Sequence, residues 1–402
     1  MRTSTKKDKI EQILTRGVEE IYPKRKMLED ALKSGKRLRL YVGIDPTGEH
    51  LHIGHAIQLR KIKQLQDLGH EVIILIGSFT GMIGDPTDKD AARTKLTQKQ
   101  VLKNAATYKK QASKILSFTG KNPAKIMFNH KWLGKLNFGD VVELASHFTV
   151  QQMGERDMFE RRMKEGKPIY LHEFLYPLMQ GYDSVAMDVD LEVGGSDQMF
   201  NMLAGRTLMK AMKQKEKMVL TMKLLTTSEG KKMSKTEAGF IPLSDTPEEM
   251  YGKIMAMSDE MILPYFELAT DVPMEEVNGM KLAMNKGMNP RDVKERLALT
   301  IVEEYHGKKA ATEAAKHFDS VFRRHDAPKD IPEFRLGKSA NVVDVLVDSK
   351  LASSKSEAKR LLEQNAIKLD GEVIADAETK LAGSEKGIIL QRGKRQFVRL
   401  LK

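Results

Sequence analysis

The segment between residues 38 and 76 constrains the fold more than any other. Leu38–Ile44 alternates into a β-branched run and breaks at Asp45-Pro46-Thr47-Gly48, which is turn chemistry. From Gly54 to Leu68, the apolar residues Ile57, Leu59, Ile62, Leu65 and Leu68 fit one face of a helix that stops at Gly69. Val72–Ile76 is short, fully apolar and β-branched, the pattern of a strand covered on both faces. Strand, helix, strand in that order is a βαβ unit. It predicts an α/β fold with a doubly wound parallel sheet.

The rest of the chain extends this reading. Residues 1–35 read as helical, with Ile10, Ile13, Leu14, Val18 and Ile21 on one face. A helix near 98–117 and a strand at Lys125–Asn129 continue the alternation. Strand signals stop near residue 240, and helical patterns run from Pro247 to Phe322. A linker rich in proline and charge, Ala327-Pro328 through Pro332, then leads to a last small unit. The expected division is 1–225, a sheet domain with an insertion near 120–165; 226–335, a basic loop and helices; and 336–402. The length of 402 residues suits two or three domains at roughly 150 residues each.

Composition removes several chemistries. With no cysteine there are no disulfides, thiolate nucleophiles, iron–sulfur clusters or cysteine zinc sites. The first ten residues lack the apolar core of a secretory signal, and no run approaches the ~20 residues of a membrane span. A cytoplasmic protein is expected. The net charge of +12 is uneven: residues 1–40 hold 12 Lys/Arg against 6 Asp/Glu, and 202–240 hold 9 against 3. Such patches suit a polyanion, although solvated surface is the simpler account of charge alone.

Two motifs carry chemistry. His52-Ile53-Gly54-His55 lies between the first strand of the unit and its helix. Loops leaving the carboxyl end of a parallel strand at a helix start are where α/β sheets hold nucleotide phosphates. Two imidazoles can donate to phosphate oxygens there, and Gly54 leaves room for an adenine. Gly230-Lys231-Lys232-Met233-Ser234-Lys235-Thr236 reads as a mobile lysine loop able to neutralise phosphate charge. Further candidates are Tyr41 ahead of the first motif, and Tyr176, Gln180 and Asp183, which share a helical face at i, i+4 and i+7. Gly194-Gly195-Ser196-Asp197-Gln198 is a glycine pair before a helix, suited to close approach by a ribose. No P-loop, Gly-x-Gly-x-x-Gly, zinc helix or calcium loop is spelled, and no protein metal site can be read.

The two motifs in this order and context resemble the signatures of class I aminoacyl-tRNA synthetases, with Thr236 in place of a final serine. The intervening segments resemble the bacterial tyrosyl-tRNA synthetases over essentially the whole chain. That resemblance implies a tyrosine–tRNA ligase: ATP is a substrate accompanied by Mg²⁺, and L-tyrosine and tRNA(Tyr) are partners. It implies that Tyr41 and Asp183 hold the phenolic hydroxyl of tyrosine, and Asp85, Tyr176 and Gln180 its ammonium. Thr47, His52 and His55 would meet the ATP phosphates, Gly54, Asp197 and Gln198 the adenosine, with Asp45 shaping the pocket near the nucleotide. Lys232 and Lys235 would close over pyrophosphate. Glu192 stands where many bacterial members carry glutamine. A homodimer is implied, with its interface near 120–165.

The last unit opens with Ser354-Lys355-Ser356-Glu357, a capping-box arrangement that predicts a helix from Lys355. Lys355 and Lys359 share its face with Arg360 alongside, ahead of a hairpin turning at Leu369-Asp370-Gly371-Glu372. Helix and hairpin resemble the small ribosomal-protein-type (alpha-L) RNA-binding domain of the same synthetases, which assigns these three residues to tRNA. Three rivals stand beside this reading: a tryptophan-specific relative, a catalytically silent RNA-binding homologue, and a smaller nucleotidyltransferase. The first lacks a hydroxyl to satisfy Tyr41 and Asp183 together. The second leaves both intact motifs idle, and the third has no use for the residues after 240.

Overall fold

A strand flanked on both faces must be apolar along its length, and Val72–Ile76 is buried throughout. In the computed structural model, which describes residues 3–85, 96–226, 240–322, 331–336, 340–384, 387–393 and 396–402, this run lies in β3 (Glu71–Ile76). The other strands of its sheet are β1 (Val18–Tyr22), β2 (Arg39–Ile44), β4 (Lys125–Phe128), β5 (Leu191–Gly195) and β6 (Met218–Met222). Their order is β1-β6-β5-β2-β3-β4. All neighbours are parallel except the edge pair of β1 and β6. The chain runs outward from β2 through β3 to β4, then returns to the far side of β2 for β5 and β6. The winding direction therefore reverses between β2 and β5, the switch point at which open α/β sheets form their crevice.

The helix between β2 and β3, Ile53–Asp67, buries Ala56, Leu59, Ile62 and Leu65 against the sheet. A second helix pair flanks the β5 side: Leu171–Met187 and Met199–Lys213. These two cross at glycines. A Cβ on Gly181 would stand 3.1 Å from the Gly205 nitrogen and 3.2 Å from the Ala204 carbonyl carbon. Pro247–Ala256, Ile262–Ala269, Met274–Asn285 and Pro290–His306 continue as helices.

Two local expectations are corrected. Residues 1–35 are two short helices, Lys7–Thr15 and Arg25–Lys33, with β1 between them, because Val18–Tyr22 pairs with Met222–Val219. The helix near 98–117 is broken into Gln98–Ala105 and Tyr108–Ala112. The break lets Thr107 Oγ1 reach the Glu49 carbonyl at 3.0 Å, and the Tyr108 hydroxyl reach that of Gly48 at 2.6 Å. These bonds brace the loop after β2.

The chain divides into two compact units between His306 and Gly307. The second contains a five-stranded sheet, Glu372–Val373, Ile367–Leu369, Ile388–Arg392, Gln396–Leu401 and Glu333–Arg335 in that order. Helices Val342–Asp348 and Lys355–Glu363 contribute Val342, Leu346, Ala358 and Leu362 to its core beside Leu390 and Leu400. The predicted start at Lys355 is observed: Ser354 Oγ accepts from the Glu357 amide at 3.2 Å. Among the described residues, no helix is long and apolar enough to cross a membrane.

The Gly181–Gly205 crossing yields an expected outcome. Gly181→Ala should force the two helices apart and cost about 1–3 kcal/mol, the usual scale of overpacking. In urea this reads as an earlier midpoint at unchanged slope; an unchanged midpoint would mean that the crossing has slack.

Candidate active site

Beyond residue 41 the sheet opens. Strand β2 follows β3 over six paired positions but meets β5 over two, Leu40 with Leu191 and Tyr41 with Glu192. Past that point the two carboxyl ends diverge around a cleft of about 250 Å³. Tyr41, Asp45, Thr47, His55, Asp85, Tyr176, Gln180, Asp183, Asp197 and Gln198, ten residues expected from the sequence to share a site, all line it. Their spread from 41 to 198 makes this convergence the main result of the fold.

The floor is buried and acidic. Asp183 accepts from the Trp132 indole Nε1 at 2.7 Å and from Asn129 Nδ2 at 3.2 Å. Burial pushes its carboxyl well above the ordinary range, and the two donors pull against that shift. Tyr41 donates or accepts a hydrogen bond with Ser184 Oγ at 2.9 Å. Burial also raises the phenols of Tyr41 and Tyr176, with Glu192 acting further on the first and Asp45 on the second. All three groups are buried and line the cleft, offering polar atoms in a dry place.

Along the wall, the Tyr176 hydroxyl donates to Asp45 Oδ2 at 2.8 Å, while Asp45 Oδ1 accepts from Thr80 Oγ1 at 2.7 Å. Asp85 is paired with Arg156 at 2.5 Å and accepts from Gln198 Nε2 at 2.8 Å. Gln180 Nε2 donates to Glu192 Oε1 at 3.1 Å. Five carboxylates thus face one cleft: Asp45, Asp85, Asp183, Glu192 and Asp197. Such a field favours a small cation such as an ammonium group.

The mouth is built differently. His52 caps the helix Ile53–Asp67, its Nδ1 accepting the Gly54 amide at 3.1 Å; His55 Nδ1 accepts the His52 amide at 3.2 Å. A backbone N–H can only donate, so both rings accept at Nδ1 and carry the proton at Nε2. The rings pack with centroids 3.9 Å apart. The pair therefore presents N–H donors at a helix N-terminus, an arrangement for anions. His52 and Gly54 sit beside the cleft lining, and a Cβ on Gly54 would lie 2.9 Å from the His52 ring, so the missing side chain makes room for that imidazole.

Lys232 and Lys235 lie outside the described residues. Lys355, Lys359 and Arg360 are exposed on one helix of the second unit, where Lys355 pairs with Asp344 at 2.7 Å. Sequence reasoning missed Asn129, Trp132, Arg156, Ser184 and Lys217. Trp132, the one tryptophan of the chain, was the strongest available signal. No group of three or more candidate metal ligands occurs among the described residues.

Residues 33–323 match the family described as tRNA synthetases class I (W and Y), and 324–400 match the tyrosine–tRNA ligase SYY-like C-terminal domain. The chain is 46% identical over 395 residues to the tyrosine–tRNA ligase of Moorella thermoacetica, covering 97% of this chain and 95% of that protein. Against the ligase of Thermotoga maritima it is 44% identical over 391 residues, covering 97% and 96%. Among solved structures, a C-terminally truncated mitochondrial tyrosyl-tRNA synthetase of Coccidioides posadasii aligns with a TM-score of 0.62 at 25% identity, covering 77% of this chain and 91% of that one. The Archaeoglobus fulgidus tyrosyl-tRNA synthetase complexed with L-tyrosine has the same fold, with a TM-score of 0.60 at 22% identity over 77% and 99%.

Asp183 generates a pH prediction. Its folded-state value lies above the ordinary 3.8, so the stability it contributes is full below that pH and is lost as pH rises through the folded value. Trp132→Phe removes a donor that favours the ionised form. It should destabilise the protein by about 1–3 kcal/mol, the cost of leaving a buried polar group short of a partner, and by less near pH 4 than at neutral pH, because the indole favours the ionised form. Urea unfolding at both values checks this; equal losses would mean that the indole does not serve the carboxylate.

Proposed function

Because the chain belongs to the class I tRNA synthetases of tryptophan and tyrosine, as a tyrosine–tRNA ligase, we propose how its own residues divide that reaction. The enzyme activates L-tyrosine with ATP and transfers the tyrosyl group to tRNA. A tyrosine carboxylate oxygen attacks the α-phosphorus, the bond to the β-phosphate breaks, and pyrophosphate leaves. A ribose hydroxyl of the tRNA terminus then attacks the carbonyl, and AMP leaves. No covalent enzyme intermediate is needed, so catalysis is positioning and electrostatics.

In this proposal the phenol of tyrosine lies at the floor with Tyr41 and Asp183, and its ammonium lies along the acidic wall with Asp85, Tyr176 and Gln180. The single observation carrying the assignment is that these five side chains line one cleft at the switch point. The cleft also has the right polarity at each end. Asp183, held by two donors, is an acceptor for a hydroxyl, and the wall carboxylates suit a cation.

ATP enters over the helix start at Ile53. The Nε2 donors of His52 and His55, with Thr47, meet its phosphates, and Asp197, Gln198 and Gly54 take the adenosine side near Asp45. The acidic floor would repel phosphates, so charge must be supplied from outside it: Mg²⁺ arriving with ATP, and Lys232 and Lys235. We assign residues 226–335 beyond that loop to the anticodon side, and residues 336–402 to holding tRNA(Tyr) through Lys355, Lys359 and Arg360. The expected place of work is the cytoplasm.

A homodimer belongs to the same proposal. Phe138 is 83% exposed, Val150 80% and Leu171 84%, with Val142 beside Phe138 on its helix. Large apolar side chains left open at this density mark an association surface. It coincides with the region near 120–165 expected from the sequence and extends to Leu171.

Two outcomes are expected. Asp183→Ala should raise KM for tyrosine in ATP–pyrophosphate exchange by roughly 10–100-fold, as loss of a charged hydrogen bond implies, while leaving the weak use of phenylalanine nearly unchanged. Equal losses for both amino acids would refute the floor assignment. Phe138→Asp should convert the protein to a monomer in sedimentation at micromolar concentration, and a dimer of unchanged strength would move the interface elsewhere.

A further inference from the structure

Lys217 is fully buried, an unusual place for an ammonium group. It stands just before β6, and its Nζ pairs with Glu192 and donates to the Met202 carbonyl at 3.0 Å. Nothing in the division of labour above uses it. We propose that Lys217 is a positioning residue of the tyrosine site, acting through Glu192 on the amide of Gln180. The proposal rests on the pocket assignment above and adds the reason why Gln180 faces the substrate in one orientation.

The argument starts from hydrogen-bond chemistry. A side-chain amide has a donor end and an acceptor end, and either can face a pocket unless a neighbour decides. Glu192, when ionised, can only accept. Gln180 must therefore give it Nε2, at 3.1 Å, and Oε1 is left to the cleft. A carbonyl oxygen is what a substrate ammonium requires. Were residue 192 a glutamine, it could donate or accept, and the Gln180 amide would be free to turn.

An ionised carboxylate at this depth needs a partner of its own. Glu192 is 2% exposed, and another acid, Asp183 from the helix Leu171–Met187, stands close enough to interact with it. Tyr41 of β2 faces it as a phenol, and the Lys217 Nζ lies 5.9 Å from the centre of that ring. From the helix Met199–Lys213 the Met202 carbonyl binds the lysine. Lys217 is the buried cation paired with Glu192, and without it the buried carboxylate is left without its counter-charge and is no longer held against Gln180. Burial lowers the lysine, and Glu192 holds it up. With Glu192 released, nothing fixes the Gln180 amide, and it is free to turn its NH₂ toward the substrate.

The space for this lysine is itself built. A Cβ on Gly205 would lie 2.5 Å from Nζ and 2.9 Å from Ser184 Oγ. The glycine crossing of the two helices therefore also seats the cation behind Tyr41 and Ser184.

The test is ATP–pyrophosphate exchange by the full chain near neutral pH, with Lys217→Met and the double variant Lys217→Met/Glu192→Gln beside the wild type. Binding of 3-(4-hydroxyphenyl)propionate, tyrosine without its ammonium, is measured beside it. Lys217→Met should raise KM for tyrosine at least about tenfold near neutral pH, as loss of a hydrogen bond to a charged group implies. KM for ATP and affinity for the propionate should stay within about twofold, since neither reads the ammonium. The double variant carries neither charge and should fold even where the single one does not. Its KM for tyrosine should be raised as well, because a glutamine at 192 leaves the Gln180 amide free to turn. A wild-type KM for tyrosine in either variant, or an equal loss for the propionate, would overturn the relay. If the wild type shows no tyrosine-dependent exchange, it is the pocket assignment that fails.

Discussion

Everything at the site follows from how briefly β2 and β5 touch. Two paired positions hold the strands together, and then nothing does. Had the register continued, Val42, Gly43 and Ile44 would lie against Val193, Gly194 and Gly195 as ordinary sheet, and no cleft would exist. The parting places Tyr41 and Glu192, the last paired residues, at its floor. Beyond them, Gly43 and Ile44 of β2 and Val193 and Gly194 of β5 become walls. The helix Leu171–Met187 closes one side because its polar face (Tyr176, Gln180 and Asp183) has nowhere else to satisfy its hydrogen bonds.

Within that cleft, two electrostatic regimes sit side by side. The inner part is acidic and dry, and its charges are handled by specific partners: Arg156 for Asp85, Lys217 for Glu192, and the neutral donors Trp132 and Asn129 for Asp183. The outer part relies on oriented N–H groups, from two imidazoles and a helix start. A ligand with a cationic end and a polyanionic neighbour meets both. The chain's basic surplus, +12 overall, lies outside the inner cleft.

What could be read from sequence was what is local. The apolar run of β3, the period of Ile53–Asp67, the face shared by Tyr176, Gln180 and Asp183, and the cap at Ser354 are short-range patterns, and each appears where expected. The errors came from long-range partners. Val18 and Ile21 continued the helical spacing of Ile10 and Ile13, and only pairing with β6, some two hundred residues later, makes that segment a strand. Lys217 is one of the nine basic residues in the stretch 202–240, with nothing local to set it apart. Its burial depends on Gly205 and on an acid at 192, neither of which marks a buried lysine by itself. Asn129 and Trp132 carried no motif, since their task is to serve a carboxylate whose depth the sequence does not display.

The pairing of β1 with β6 has a consequence for how such a molecule is made. The first strand waits for the sixth, and β5 lies between β6 and β2. Contacts of such sequence separation form slowly, because the loop they close must be ordered before it is rewarded. On the ribosome, which releases the amino end first, the half carrying Tyr41 and Asp45 emerges long before the half carrying Asp183 and Glu192. Neither half holds a pocket. Until Met222 is free to complete the sheet, the nascent chain has an open edge and no binding site, so ligand cannot stabilise it early. Assembly of the catalytic centre is thereby tied to completion of the sheet itself.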